Sequence, residues 1–184
     1  MTAPLHPVGR SVNSPACRAD AAGAKVNDML TRIKNRRASA DGRPIAIVAA
    51  RYNGRYVEAM LRAARQELKR AGAPVGWIVR VPGAFEIPVV AAHLARHQLT
   101  PPAAVIALGV ILRGETAHAQ LIAEGVTHAL ARLQWESGVP IIHGVLLLEN
   151  ESQARVRCLE RDHNRGIEAA RTALEMAAVM RRLE

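Results

Sequence analysis

The stretch Arg113-Gly114-Glu115-Thr116-Ala117-His118 places a glycine, a threonine and a histidine within six residues. Gly114 is read as a sharp turn and Thr116 as the N-cap of a following helix. Free backbone N–H groups at a helix start attract an anion such as phosphate. His118 would then stand in the first turn, where a group titrating near neutrality can move protons. Taken alone, a histidine in a first helical turn is structural more often than catalytic.

Pro82-Gly83-Ala84-Phe85-Glu86 has a similar logic. Pro82-Gly83 ends an extended run. Glu86 opens a helix, where its carboxylate either accepts from sugar hydroxyls or only complements the helix dipole. Arg157 and Arg165 flank a short loop, and each either holds a phosphate bidentately or is a solvated surface charge. His93 and His97 have a spacing able to bind zinc, but no third ligand stands nearby in the sequence, so no metal site is expected.

The elements that must position these groups are regular. PIAIVAA (44–50), WIVRV (77–81), AAVIALGV (103–110) and VPIIHGVLL (139–147) read as four strands. The third is unbroken and apolar, as suits a strand buried on both faces. Helices are predicted over about 53–70, 85–97, 117–136, 150–160 and 164–182. Leu121, Ile122, Val126, Ala129, Leu130 and Leu133 are expected on the buried face of the third helix. Alternating strands and helices imply parallel crossovers, hence a three-layer α/β/α sandwich around a four-stranded parallel sheet. Such folds bind ligands beyond the carboxyl ends of the strands. RYN (51–53), PGAFE (82–86) and RGETAH (113–118) follow the first three strands there, and HGV (143–145) falls more loosely in the fourth.

The 184 residues suit one such domain. Hydrophobic residues make up 49% and aromatics only 3%, so the core must be built from Ala, Val, Leu and Ile. No apolar run approaches a membrane span or a secretory signal. Cys17 and Cys158 lie in dissimilar contexts without CxxC spacing, which points to unpaired thiols and a reducing cytoplasm. The net charge of +9 is uneven: residues 1–43 hold eight Lys/Arg against three Asp/Glu, a net of +5. Residues 1–43 are read as a largely disordered basic extension, and 44–184 as the folded domain. Val26, Met29, Leu30 and Ile33 fit a short basic amphipathic helix, with an organelle-targeting peptide as the less favoured reading. Without stacking aromatics or a binding motif, nucleic acid is not an expected partner.

In order and spacing, RYN, VPGAFEIP (81–88), AVIALGVILRGETAH (104–118), GVPIIHGVLLLEN (138–150), QARVR (153–157) and NRGIEAARTALEM (164–176) resemble the lumazine synthase family over about residues 44–182. The resemblance implies a flavodoxin-like fold and a cofactor-free transferase of riboflavin biosynthesis. That enzyme condenses 5-amino-6-(D-ribitylamino)uracil with 3,4-dihydroxy-2-butanone 4-phosphate to give 6,7-dimethyl-8-ribityllumazine. By the same resemblance His118 is the proton-transfer group. Tyr52, Ala84, Phe85, Glu86, Val110, Ile111, Leu112 and His143 contact the pyrimidine and ribityl chain. Glu115, Thr116 and Arg157 hold the butanone phosphate, with position 143 and Arg157 supplied by a neighbouring subunit.

Five positions depart from the family pattern. Tyr52 stands where Phe or Trp is usual, Ala119-Gln120 where an aromatic and Asp follow the histidine, His143 where Phe is usual, and Arg165 where Lys is usual. His143 either adds a hydrogen bond to the pyrimidine or fills space. The resemblance further implies a pentamer at least, and leaves open a decamer, a 60-subunit icosahedral shell and an association with riboflavin synthase. No insertion lengthens 157–165, which leans toward the shell, whereas sixty basic extensions would crowd and repel. The alternatives are a shell or scaffold protein with a drifted site, or an enzyme acting on a related ribitylated pyrimidine.

Overall fold

The computed structural model describes residues 42–96 and 99–184. The expectations for residues 1–41, including Cys17 and the amphipathic helix near 26–33, and for His97 lie outside the described residues. The elements run β1 (Ile45–Ala50), α1 (Gly54–Arg70), β2 (Val75–Val81), α2 (Ile87–Arg96), β3 (Ala104–Leu112), α3 (His118–Ser137), β4 (Ile141–Leu148), α4 (Glu151–Leu159) and α5 (Arg165–Arg181). A short 3-10 turn, Arg161–His163, joins the last two helices.

The four strands form one parallel sheet in the order β2-β1-β3-β4. From β1 the chain crosses to β2 on one side, then to β3 on the other, so strand order switches between β1 and β3. Successive side chains of a strand point to opposite faces. Ile45, Ile47, Ile106 and Leu108 therefore enter one core with Val57, Met60, Leu68, Ala170 and Leu174 of α1 and α5. Ala46, Val48, Val105 and Ala107 enter a second core with Ala91, Leu94, Val126 and Leu130 of α2 and α3. The three-layer, flavodoxin-like sandwich expected from the sequence is the observed architecture.

Small side chains set the spacing between layers. Gly166 lies so close to α1 that a Cβ there would stand 2.1 Å from the Met60 carbonyl oxygen, so α5 can approach α1 only through glycine. Asn164 fixes the turn into α5: its Oδ1 accepts the Gly166 N–H at 2.9 Å, and its Nδ2 donates to the Cys158 carbonyl. The buried Glu67 joins the same two helices, accepting from Arg171 Nε at 2.7 Å and Arg70 at 3.3 Å. Buried carboxylates persist where paired in this way.

Two expectations about side-chain placement are corrected. Leu121 is 64% exposed instead of lying on the buried face of α3. It stands nine residues before the buried Leu130, two and a half helical turns, and so on the opposite side. α2 starts at Ile87 instead of Phe85, because residues 82–86 form a turn of their own.

Candidate active site

The carboxyl ends of β1, β2 and β3 hold the expected loops. The N–H groups of Arg51 and Tyr52 donate to the carbonyls of Val81 and Pro82, at 2.8 and 3.0 Å, which binds the loop after β1 to the loop after β2. Asn53 adopts φ 54°, ψ 39°, a left-handed conformation that Asn tolerates better than most residues. Its side chain does not cap α1. It turns to the third strand, where Nδ2 donates to the Val110 carbonyl at 2.8 Å.

Glu86 bends back and accepts the Gly83 N–H on Oε2 at 2.8 Å, closing the turn. Oε1 has no hydrogen-bond partner among the described residues. A Cβ on Gly83 would lie 2.9 Å from Glu86 Oε2 and 3.0 Å from the Tyr52 ring, so the ring and the carboxylate both close on the glycine. Tyr52 is 70% exposed and Phe85 60%, two aromatic rings facing outward in a chain with few. The edge of Phe85 reaches toward Gly125 of α3. The side chains of Ala84 and Val110 are buried, Ala84 against Gly109 of β3, so both offer backbone rather than side chain to a ligand. Ile111 and Leu112 are half-buried.

The loop after β3 is anchored through Arg113. Its N–H donates to the Leu148 carbonyl at 2.8 Å, Nε to Glu149 at 2.9 Å, and an η nitrogen to Gln120 Oε1 at 2.9 Å. Gln120 thus holds the start of α3 to the loop. Residues 114–118 are exposed. Two details correct the sequence reading. Gly114 is not among the glycines with positive φ, and the N-cap is Ala117, not Thr116. Thr116 Oγ1 still accepts the His118 N–H, at a long 3.4 Å. Beyond that one long bond, the first turn of α3 offers backbone N–H groups that its N-cap residue does not cap, with His118 exposed among them.

His143 and Arg157 lie apart from this group within one chain. His143 pairs with Ala107 in the sheet, whereas Val110–Leu112 pair with Leu146–Leu148, so it sits roughly 10 Å back along β4 from the Val110 level. Its Nε2 lies 3.0 Å from Thr127 Oγ1, and the Thr127 hydroxyl donates to the Ala123 carbonyl at 2.7 Å. That leaves the threonine oxygen to accept from Nε2–H. Partial desolvation pushes the His143 imidazole below its ordinary pKa, opposed in part by its own backbone carbonyl, although the residue keeps exposed surface. Arg157 is half-buried on α4 and has no ion pair among the described residues, while Arg165 pairs with Glu168. Sequence reasoning missed Asn53 and Thr127. The signal for Asn53 was present, since an Asn directly after a strand is a residue able to adopt left-handed backbone.

Among the described residues no group of three or more His, Cys, Asp and Glu is placed to hold a metal, and no helix is long and apolar enough to cross a membrane. Cys158 is free and buried, and burial raises its thiol to a pKa of about 11, an unreactive setting.

A parallel sheet with a strand-order switch, and polar loops gathered beyond it, defines an α/β protein with a ligand site at its carboxyl edge. The family model for 6,7-dimethyl-8-ribityllumazine synthase matches residues 42–181, and the chain belongs to that family. The chain is 39% identical over 143 residues to the 6,7-dimethyl-8-ribityllumazine synthase of Pyrococcus furiosus, covering 78% of this chain and 88% of that protein. The enzymes of the same name from Halorhodospira halophila and Kineococcus radiotolerans are each 41% identical, over 76% of this chain and 89% and 86% of their own lengths.

Proposed function

We propose that this chain catalyses the condensation of 5-amino-6-(D-ribitylamino)uracil with 3,4-dihydroxy-2-butanone 4-phosphate to 6,7-dimethyl-8-ribityllumazine, in the cytoplasm. The observation that carries this reading is the approach of both Tyr52 and Glu86 to Gly83 beside the strand switch, with α3 starting at His118 on the same edge of the sheet. The exposed Tyr52 ring offers a face on which the pyrimidine stacks. Glu86 Oε1 is free to accept a ribityl hydroxyl. The N–H groups at the start of α3, beside Glu115 and Thr116, receive the phosphate together with Arg157. The amine attacks the ketone and loses one water to form a Schiff base, phosphate leaves by elimination, and the ribitylamino nitrogen closes the ring on the remaining carbonyl with loss of a second water. His118 moves the protons of these steps. Both substrates carry their own reactive groups, so alignment supplies much of the acceleration.

Position 143 and Arg157 complete the site from a neighbouring copy. Large apolar side chains stand ready for that neighbour: Val89 of α2 and the outward row of Leu121 and Trp135 on α3 are 64–85% exposed. A pentamer supplies such contacts around a ring, and the uninserted 157–165 segment favours its closure into a 60-subunit shell. Residues 1–43 form an extension outside the catalytic domain.

Absorbance at the lumazine band, followed on mixing the two substrates with the full chain, tests the reaction. Co-expression of His118→Ala and Arg157→Ala chains tests the shared site. Turnover restored above either variant alone is expected, and no restoration would refute the two-chain site.

A further inference from the structure

A cleft of about 490 Å³ lies outside the candidate active site, between α1 and the connection from α4 to α5. Arg62, Gln66 and Arg70 recur along one face of α1, and Leu159, Arg161 and Ile167 line the other wall. None of the residues assigned to the reaction lines it. Its size falls in the range of small-molecule sites, roughly 300–1,000 Å³.

The charge of the cleft is unbalanced. Three guanidinium groups line it and no carboxylate does. The side chains of Arg62 and Arg161 have no ion pair or hydrogen bond among the described residues. Arg70 meets Glu67, but that single carboxylate also carries Arg171. Like charges kept together without counter-charge favour an anionic ligand. Arg62 and Arg70 start eight residues apart, about 12 Å along the helix, which suits a ligand with more than one anionic group. Leu159 and Ile167 add apolar wall for a non-ionic body. The wall is also held in shape, because Asn164 fixes the turn between α4 and α5 through the Gly166 N–H and the Cys158 carbonyl.

We propose that this cleft is a second, non-catalytic binding site for a small organic molecule carrying two or more phosphate or carboxylate groups. Arg62 and Arg161 grip the anionic groups bidentately, with Arg70 beside them, and the apolar wall receives the rest of the ligand. The site does not depend on the synthase reading, whose failure would appear in the turnover assay and not in the experiment below.

Calorimetric titration of the full chain with ADP, with adenosine and with inorganic pyrophosphate, at low salt, reads the site directly. Saturable binding of ADP is expected, with pyrophosphate weaker and adenosine silent. The double variant Arg62→Ala/Arg161→Ala should bind ADP at least about tenfold more weakly, the scale of removing one charge-assisted hydrogen bond. Arg157→Ala, which removes the anion-binding group proposed for the reaction, should leave the cleft's affinity unchanged. Both cleft arginines are exposed, so the double variant should keep the wild-type circular dichroism and turnover. No saturable ADP binding below about 1 mM, some 4 kcal/mol, would overturn the proposal. So would binding abolished in Arg157→Ala but kept in the double variant.

Discussion

The Asn53 side-chain amide donates to the Val110 carbonyl across 2.8 Å, fastening the end of β1 to the end of β3 where strand order switches. The bond spans the crevice in which ligands of this architecture bind. It also holds a left-handed residue directly after Tyr52, so the aromatic ring and the third strand end keep a fixed relation.

Substitution separates the two contributions of Asn53. Asn53→Gly keeps the left-handed backbone and removes only the bond, at a cost of about 0.5–1.5 kcal/mol. Asn53→Ala removes the bond and strains the backbone, adding roughly 1–2 kcal/mol. Urea denaturation should rank wild type above Gly above Ala. KM for the pyrimidine should rise in both variants, and an Ala variant as stable as Gly would remove the conformational argument.

His118 is exposed in the first turn of α3 and takes no part in the packing of either core. His118→Ala should therefore keep fold and assembly while turnover falls on the order of 10- to 1,000-fold, within or below the usual range for a general acid–base group. The low end is expected if alignment of the substrates dominates. Steady-state kcat is the measurement, and an unchanged value removes His118 from the mechanism.

Arg157 lacks an ion pair among the described residues, whereas Arg165 is held by Glu168. Arg157→Ala should weaken binding of the butanone phosphate by roughly 1.5–3 kcal/mol, with little effect on the pyrimidine. Separate KM values for the two substrates read this out. The same phenotype from Arg161 or Arg165 variants instead would show that the phosphate contact is misplaced.

The His143 imidazole is held below its ordinary pKa by partial desolvation. The unfolded chain therefore takes up the proton at a higher pH than the folded one. The resulting loss of stability is absent above the unfolded value, about 6.5, and grows as pH falls through it toward the lower folded value. His143→Phe removes this titration. The drop in urea midpoint between pH 7.5 and 5.5 should be smaller in the variant than in wild type, and an equal drop assigns the pH dependence to other groups.

The four strands were legible because each is an apolar run bounded by Gly, Pro or charged residues, and their alternation with helical segments implied the parallel sheet. The loops bearing Tyr52, Glu86 and His118 were located by the same logic, since each follows a strand. What escaped depends on distance in sequence or on fine angle. The Asn53 bond reaches across 57 residues and leaves no periodic trace. The Thr127 partner of His143 lies on another element, and only packing α3 beside β4 reveals it. Leu121 was misplaced because it adjoins Ile122 in sequence, although 100° per residue sends the two toward different faces.

Assembly is the prediction on which the complete site depends. Tyr52 and Glu86 lie on loops at the strand ends and His118 in the first turn of α3, while His143 sits back along the edge strand and Arg157 near the far end of α4. A second copy must bring the latter two to the first three if all act on one substrate pair. The exposed Val89, Leu121 and Trp135 give such a copy apolar surface to cover. By the family resemblance, pentamers are the smallest expected species. Growth beyond them turns on two opposing features. The connection between α4 and α5 is a single short 3-10 turn, Arg161–His163, and on the proposed reading a connection this short permits closure into a shell. The +5 extension of residues 1–43 would repel its copies wherever sixty of them met on one face, an effect that salt screens. The balance favours the 60-mer at moderate salt and shifts further toward it when residues 1–43 are deleted. Sedimentation velocity on both chains decides the matter: a sole species of five or ten subunits that persists after the deletion would refute the loop argument.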